Sequence, residues 1–181
     1  MINKHRFEIG INRNLRIALR GKTMIEDLFI ERTPKTPQID LNAITGDLIF
    51  HGKSIPENAA KIYEPVMNWL KEYVTKPKPI TNLRLNLEYY NTTSSIWLTK
   101  IIKALLHIGD PEFTLIIHLY LPYEDYDEIN EFEDLKDAFL PISSIEQETI
   151  PNVGIKIYAI GDNGEIIKES LVFFESEEMI K

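Results

Sequence analysis

Residues 83–95 read LRLNLEYYNTTSS and carry the clearest fold signal in the chain. Leu83, Leu85 and Leu87 alternate with polar residues, which is the two-residue period of a half-buried β-strand. Four hydroxyl side chains follow at positions 92–95, and apolar residues then recur at helical spacing. Ser and Thr are favoured at helix N-termini because they bond to free backbone N–H groups. The stretch therefore predicts a strand that leads directly into a helix.

Further strand and helix signals lie on both sides of this unit. Before it, the pattern predicts strands at residues 28–32, 38–41 and 47–51, and a helix that follows SIPEN at residues 54–58. The apolar residues of that helix are Ile62, Val66, Trp69, Leu70 and Tyr73, and Pro65 within it predicts either a kink or a new helix.

After the unit, an apolar strand at residues 114–121 and an acidic helix over residues 125–139 are predicted. Strands at 153–160 and 165–174 flank GDNG, which is typical of a β-hairpin. Strand–helix–strand connections imply parallel strands joined by right-handed crossovers, whereas the first strands form an antiparallel lead-in. The predicted fold class is α/β, with a mixed sheet, helices and a C-terminal β-hairpin.

Composition excludes several classes of function. The 181 residues suit one domain with extensions, and the absence of cysteine excludes disulfides and thiolate metal sites. The net charge of −8 argues against general nucleic-acid binding. No apolar run approaches the roughly 20 residues of a membrane helix, and no secretory signal is evident. We therefore expect a cytoplasmic protein without membrane insertion.

No pattern for metal or cofactor chemistry is present. The four histidines are scattered, and the pattern around His118, in an apolar strand, indicates a hydrogen-bonded core residue rather than a ligand. Glycine-rich phosphate loops and nucleophile elbows are missing. We expect no metal and no cofactor.

The hydroxyl cluster at residues 92–95 has two interpretations. One hydroxyl is enough to cap the helix, and capping alone would make the cluster structural. Alternatively, a kinase phosphorylates one of the hydroxyls, and the helix N-terminus then stabilises the phosphate charge.

Several motifs, in this order, resemble the SiaC family of bacterial regulatory phosphoproteins. They are TPKTP at residues 33–37, Gly46, Gly52, SIPEN at 54–58, Pro65, Trp69, Tyr73 and LEYYNTTSS at 87–95. The resemblance runs from about Glu26 to Leu140. It divides the chain into an N-terminal extension (1–25), a SiaC-like regulatory domain (26–140) and a C-terminal β-hairpin extension (141–181).

The resemblance implies a STAS-like, anti-anti-sigma-like sheet flanked by helices. It implies a serine/threonine kinase with a histidine-kinase-like ATP domain and a PP2C-type phosphatase as partners. It also implies that the unphosphorylated protein binds an effector such as a diguanylate cyclase, which links it to cyclic-di-GMP, biofilm control and partner switching.

The residue that matches the family's phosphorylated threonine is Thr92, with Thr93 and Ser94 as alternates. The resemblance also suggests partner-binding roles for Asn91, Thr93, Ser94, Glu57 and Asn58.

The resulting interpretation is a non-enzymatic, phosphorylation-controlled regulator. The alternative is a constitutive protein-interaction module in which the hydroxyls only cap a helix. A third interpretation, a hydrolase that uses Glu57, Glu88 or His51, is the weakest because no nucleophile–base pair is visible.

Overall fold

The computed structural model describes residues 25–108, 110, 112–126 and 151–174. The strands are β1 (Leu28–Ile30), β2 (Gln38–Leu41), β3 (Asp47–Ser54), β4 (Ile80–Tyr90), β5 (Thr114–Pro122), β6 (Asn152–Ile160) and β7 (Ile166–Phe174). The helices are α1 (Ala59–Tyr73), α2 (Thr92–Leu106) and the short α3 (Tyr123–Tyr126). The strand that leads directly into a helix is confirmed as β4 followed by α2.

The seven described strands form one sheet whose spatial order equals the chain order. β2 runs antiparallel to both of its neighbours, β1 and β3. β3, β4, β5 and β6 run parallel, and β7 returns antiparallel to β6. The mixed sheet, the antiparallel lead-in and the C-terminal hairpin are therefore confirmed.

The core lies between one face of this sheet and the two long helices. Alternate residues of the central strands are buried on that face: Leu48, Phe50, Leu83, Leu85, Leu115, Ile117 and Leu119. α1 and α2 contact each other. Both helices therefore lie on this face of the sheet. This is expected, because right-handed crossovers that move in the same direction from strand to strand place their helices on the same face.

α1 is one helix that contains Pro65, so no second helix begins at that residue. Its N-cap is Asn58, whose side-chain oxygen accepts a hydrogen bond from the backbone N–H of Lys61. Four of the five apolar residues at helical spacing are buried, namely Val66, Trp69, Leu70 and Tyr73, and Ile62 is partly buried against the core. Tyr63, which that set did not include, is fully buried.

The opposite face of the sheet carries a polar cluster centred on His118. The ring Nε2 donates to Asn82 Oδ1 at 2.9 Å, so Nδ1 accepts from the Tyr158 hydroxyl at 3.0 Å and from Arg84 at 3.3 Å. Burial, together with the positive charges of Arg84 and Lys156, lowers the pKa of His118 to about 4. The prediction of a hydrogen-bonded core histidine is confirmed.

The hairpin of β6 and β7 is built into the sheet edge. The turn holds Gly164 at a φ of 81°, a value that glycine adopts without strain. β6 is buried along most of its length, and Val153, Ile155, Ile157 and Ala159 are fully buried. The hairpin therefore extends the core beyond β5.

Two of the predicted segments lie largely outside the described residues. They are the N-terminal extension and the acidic helix over residues 125–139, of which α3 includes only the first two residues. Within the described part of the chain, no helix combines the length and apolar character needed to cross a membrane.

Candidate functional site

The carboxyl ends of β3 and β4 lie side by side, because the two strands are parallel and Ser54 is in register with Tyr90. The backbone N–H of Asn91 donates to the Ser54 carbonyl oxygen at 3.0 Å, which joins the start of one loop to the start of the other. The segments that precede α1 and α2 therefore meet at one edge of the sheet. This is the edge where open α/β sheets commonly bind ligands.

A β-bulge sets the direction of β4 as it reaches this edge. Gly52 is opposite Leu87 and Lys53 is opposite Tyr89, which leaves Glu88 without a partner in β3. Gly52 has a φ of 103°, a left-handed backbone conformation that favours glycine. A bulge bends the strand that carries the extra residue. β4 therefore changes direction at the bulge, before it reaches Thr92.

Asn91, rather than a hydroxyl residue, caps α2. Its backbone is extended, and its side-chain oxygen accepts a hydrogen bond from the Ser94 N–H at 2.9 Å. The expectation that a Ser or Thr hydroxyl caps this helix is therefore wrong. Asn and Ser have nearly equal preference for this position, so composition alone does not separate them. Thr92 is consequently the first residue of the helix.

Ser94 is fully buried and joins α2 to the end of β3. Its hydroxyl donates to the Ser54 carbonyl oxygen at 2.9 Å, and its Oγ accepts from the Ser54 hydroxyl at 2.8 Å. Because Ser54 has only one hydroxyl proton, the Tyr63 hydroxyl must donate the bond of 2.7 Å to Ser54 Oγ. Burial raises the pKa of Tyr63, so this donor stays protonated.

Thr92 and Thr93 differ from Ser94 in both burial and bonding. Both threonines are exposed, and neither hydroxyl has a hydrogen-bond partner among the described residues. The next residue, Ser95, is half-buried and donates to the Thr92 carbonyl oxygen at 2.8 Å. Two accessible hydroxyls thus lie at the positive end of a helix whose base is anchored by Ser94.

Large aromatic and aliphatic residues precede and follow the two threonines in the sequence. Tyr89, Tyr90 and Ile96 are exposed to 61%, 46% and 53%, although all three are large and apolar. Trp97 is partly buried and stacks on Tyr63 with ring centroids 6.0 Å apart. Exposed apolar side chains close together commonly mark protein–protein contacts.

Glu57 and Asn58 lie at the same edge but have local partners. Lys35 Nζ donates to Glu57 Oε1 at 2.7 Å, and this contact lowers the pKa of Glu57. Asn58 caps α1. Asn58 therefore has a structural role as the N-cap of α1, and Glu57 presents its carboxylate to solvent.

The residues of the hydrolase interpretation do not form one site. Glu57 pairs with Lys35, whereas Glu88 lies 3.7 Å from Lys53. His51 is in register with Asn86 in the sheet. Across the described ranges, no group of three His, Asp or Glu side chains is placed to hold a metal ion.

Ser54 and Tyr63 are site residues that the sequence did not reveal. Their role depends on contacts with Ser94, which lies 40 residues after Ser54 in the chain. The one available signal was the polar residue at the end of β3, which sits where an apolar side chain would continue the buried face.

The chain is similar to known proteins in both sequence and structure. A family model described as SiaC family regulatory phosphoprotein matches residues 30–147. An uncharacterised protein of Pseudomonas aeruginosa (strain UCBPP-PA14) is 33% identical over 86 residues, which are 48% of this chain. The match spans 63% of that relative's length.

Two crystal structures share the fold. Apo-SiaC from Pseudomonas aeruginosa superposes with a TM-score of 0.52 at 28% identity, over 62% of this chain and 92% of that one. SiaC in a structure of the diguanylate cyclase SiaD in complex with its activator SiaC, also from Pseudomonas aeruginosa, gives 0.54 at 23% identity. That match covers 61% of this chain and 91% of the other, and it supports the fold alone.

The fold is a mixed α/β sheet with an exposed hydroxyl pair at a helix start, and the family model that matches it describes regulatory proteins. The family match extends over most of the chain. The chain belongs to the SiaC family of regulatory phosphoproteins. The resemblance carried by the sequence motifs is therefore confirmed.

Proposed function

We propose that this protein is a non-enzymatic bacterial signalling switch in which phosphorylation of Thr92 controls the binding of an effector. One observation carries the proposal: the hydroxyl cluster is divided into accessible and buried members. Thr92 and Thr93 are exposed, whereas Ser94 is fully buried, and its hydroxyl both donates a hydrogen bond to Ser54 and accepts one from it. The family description as a phosphoprotein supports it.

Thr92 is the preferred acceptor among the three candidates. Burial of Ser94 argues against it, because a kinase must reach the hydroxyl that it modifies. Thr93 is also exposed and remains the alternate. Thr92 is favoured by the resemblance, since it directly follows the asparagine of the family motif.

A phosphate on Thr92 changes the charge of the surface, whereas the fold is expected to stay intact. It adds roughly −1.5 to −2 charges. The helix N-terminus offsets part of that charge, by up to about 2 kcal/mol in favourable geometry. A partner that covers the neutral hydroxyl must instead bury an unmatched phosphate, at a cost of several kcal/mol. Phosphorylation therefore releases the effector and leaves α2 folded.

The proposed partners follow from family membership. SiaC of Pseudomonas aeruginosa is named as the activator of the diguanylate cyclase SiaD. By analogy, the effector here is a diguanylate cyclase, and the output is cyclic-di-GMP and biofilm control in the cytoplasm. A serine/threonine kinase with a histidine-kinase-like ATP domain adds the phosphate, and a PP2C-type phosphatase removes it.

The effector contacts the edge formed by Asn91, Thr93, Glu57 and Asn58. Ser94 contributes from beneath, because its buried hydrogen bonds hold the start of α2 against β3. The switch resides in residues 26–140. Residues 1–25 are an extension, and residues 141–181 carry the hairpin that stabilises the sheet.

The test is phosphorylation by the kinase from the same genome, followed by intact mass and site mapping. We expect one added phosphate on Thr92. Thr92→Ala should abolish it, whereas Thr93→Ala, the matched control at the neighbouring exposed threonine, should leave it in place. A phosphate that maps to Thr93 would move the site by one residue. If the active kinase adds none, the protein is a constitutive interaction module.

A further inference from the structure

One peptide unit at the end of β3 separates Lys35 from the start of α2. The carbonyl oxygen of Ser54 accepts from the Asn91 N–H at 3.0 Å, and the N–H of Ile55 donates to the Lys35 carbonyl oxygen at 2.9 Å. These two groups belong to the same trans peptide and point in opposite directions. The Lys35 oxygen therefore lies no more than about 8 Å from the Asn91 nitrogen.

The loop that carries Lys35 is held in place by its own hydrogen bonds. The Thr33 Oγ1 accepts from the backbone N–H groups of Lys35 at 3.2 Å and of Thr36 at 3.0 Å. The Thr33 N–H donates to the Thr36 carbonyl oxygen at 3.0 Å. Pro34 and Pro37 each fix one further φ. The main chain of Lys35 is therefore held beside the end of β3, whereas its long side chain can change partner.

The present partner of the Lys35 side chain is an exposed carboxylate. Lys35 Nζ donates to Glu57 Oε1 at 2.7 Å, and the two side chains are 59% and 85% exposed. Exposed ion pairs contribute little to stability, because water solvates both charges and salt screens them. Glu57 directly precedes the N-cap of α1, as Thr92 directly follows the N-cap of α2. The ion pair and the threonine therefore lie at two helix starts that meet at one edge of the sheet.

We infer that Lys35 is the residue that binds the phosphate of phosphorylated Thr92, and that it leaves Glu57 to do so. A phosphate carries roughly −1.5 to −2 charges and three acceptor oxygens, whereas a carboxylate carries one charge. The phosphate therefore attracts the ammonium group more strongly than Glu57 does. The flexible four-carbon stem of lysine spans roughly 6 Å, so the ammonium group can turn from one helix start toward the other.

This exchange deepens the proposed function, on which its role in effector release rests. In the unmodified protein, Lys35 and Glu57 neutralise each other at the edge that the proposed effector covers. After phosphorylation, Lys35 neutralises part of the phosphate charge instead, and the Glu57 carboxylate loses its counter-ion. An effector that fits the neutral pair then meets two anionic groups rather than one.

The test uses the full chain with phosphothreonine introduced at position 92 by genetic-code expansion, so it requires no kinase. Phosphorus NMR measures the pKa of the phosphate in this protein and in its Lys35→Gln and Lys35→Arg variants. Lys53→Gln is the matched control, since Lys53 is also an exposed lysine that pairs with a glutamate, Glu88, at 3.7 Å. Lys53 directly precedes the buried Ser54, so its side chain lies on the opposite face of the sheet.

We expect Lys35→Gln to raise the pKa of the phosphate by roughly 0.5, because a nearby cation favours the dianion. Lys35→Arg keeps the charge and should restore the lower value, and Lys53→Gln should leave it in place. In the unmodified protein, the hydrogen bond from Lys35 holds the pKa of Glu57 below its ordinary value. Carbon NMR of the Glu57 carboxyl should show that this pKa rises in the phosphorylated protein.

Equal phosphate pKa values in the Lys35→Gln and Lys53→Gln proteins would overturn the inference. A pKa of Glu57 that phosphorylation leaves unchanged would overturn it as well, because the ion pair would then be intact. A kinase that adds no phosphate to Thr92 would count against the proposed function and not against this contact. The two proposals therefore fail independently.

Discussion

Ser94→Ala should destabilise the protein much more than alanine at either neighbouring threonine. The Ser94 hydroxyl bonds the Ser54 carbonyl oxygen, and its Oγ accepts the Ser54 hydroxyl proton. Its removal leaves the buried Ser54 hydroxyl without that acceptor, and an unsatisfied buried polar group costs about 1–3 kcal/mol. We expect a loss of about 2 kcal/mol, which lowers Tm by roughly 4–8 °C in a chain of this size.

Urea denaturation followed by circular dichroism measures this free energy of unfolding. Thr92→Ala and Thr93→Ala are the controls and should change it by no more than about 0.5 kcal/mol. Ser54→Ala combined with Ser94→Ala should cost clearly less than the sum of the two single changes, because the hydroxyls share one bond. Equal effects of Ser94→Ala and Thr93→Ala would refute the assignment of Ser94 as the buried anchor.

Three further predictions concern the cap, the bulge and the polar face. Asn91→Ala should lower the free energy of unfolding by about 1 kcal/mol. Asn91→Asp should keep most of the stabilisation that the cap provides, because a carboxylate also accepts a hydrogen bond from the Ser94 N–H. Gly52→Ala should cost about 1–2 kcal/mol from the positive φ alone, since nothing lies within 4 Å of the added Cβ; a neutral effect in urea denaturation would contradict this. The pKa of His118 is about 4 against an unfolded value near 6.5, so the unfolded state binds more protons between these pH values. Stability should therefore fall by up to about 3 kcal/mol as pH drops from 6.5 to 4, and a His118→Gln variant with the same slope would exclude His118 as its source.

Features that arise from local patterns were predictable from the sequence. The alternation of Leu83, Leu85 and Leu87 identified β4. Asn163 and Gly164 identified the C-terminal hairpin, because few residues adopt the backbone of such a turn. Both signals depend on neighbours in the chain, so they can be recognised without knowledge of any tertiary contact.

Features that depend on distant contacts were not predictable. Four adjacent hydroxyls look equivalent in sequence, and only the contact with Ser54 makes Ser94 a buried anchor. The bulge at Glu88 exists only relative to β3, so a single strand cannot reveal it. The choice of Asn91 as the cap was local, but the preferences of Asn, Ser and Thr for that position are too similar to decide it.

The most direct test of the central claim is calorimetric titration of the effector into unmodified and Thr92-phosphorylated protein. The effector is the diguanylate cyclase from the same organism, and Thr92→Ala treated with kinase is the control. We predict that the unmodified protein and Thr92→Ala bind alike, whereas phosphorylated protein binds at least about a hundredfold more weakly, equivalent to about 2.8 kcal/mol. Equally tight binding by the phosphorylated and unmodified forms would contradict the claim that Thr92 is the switch.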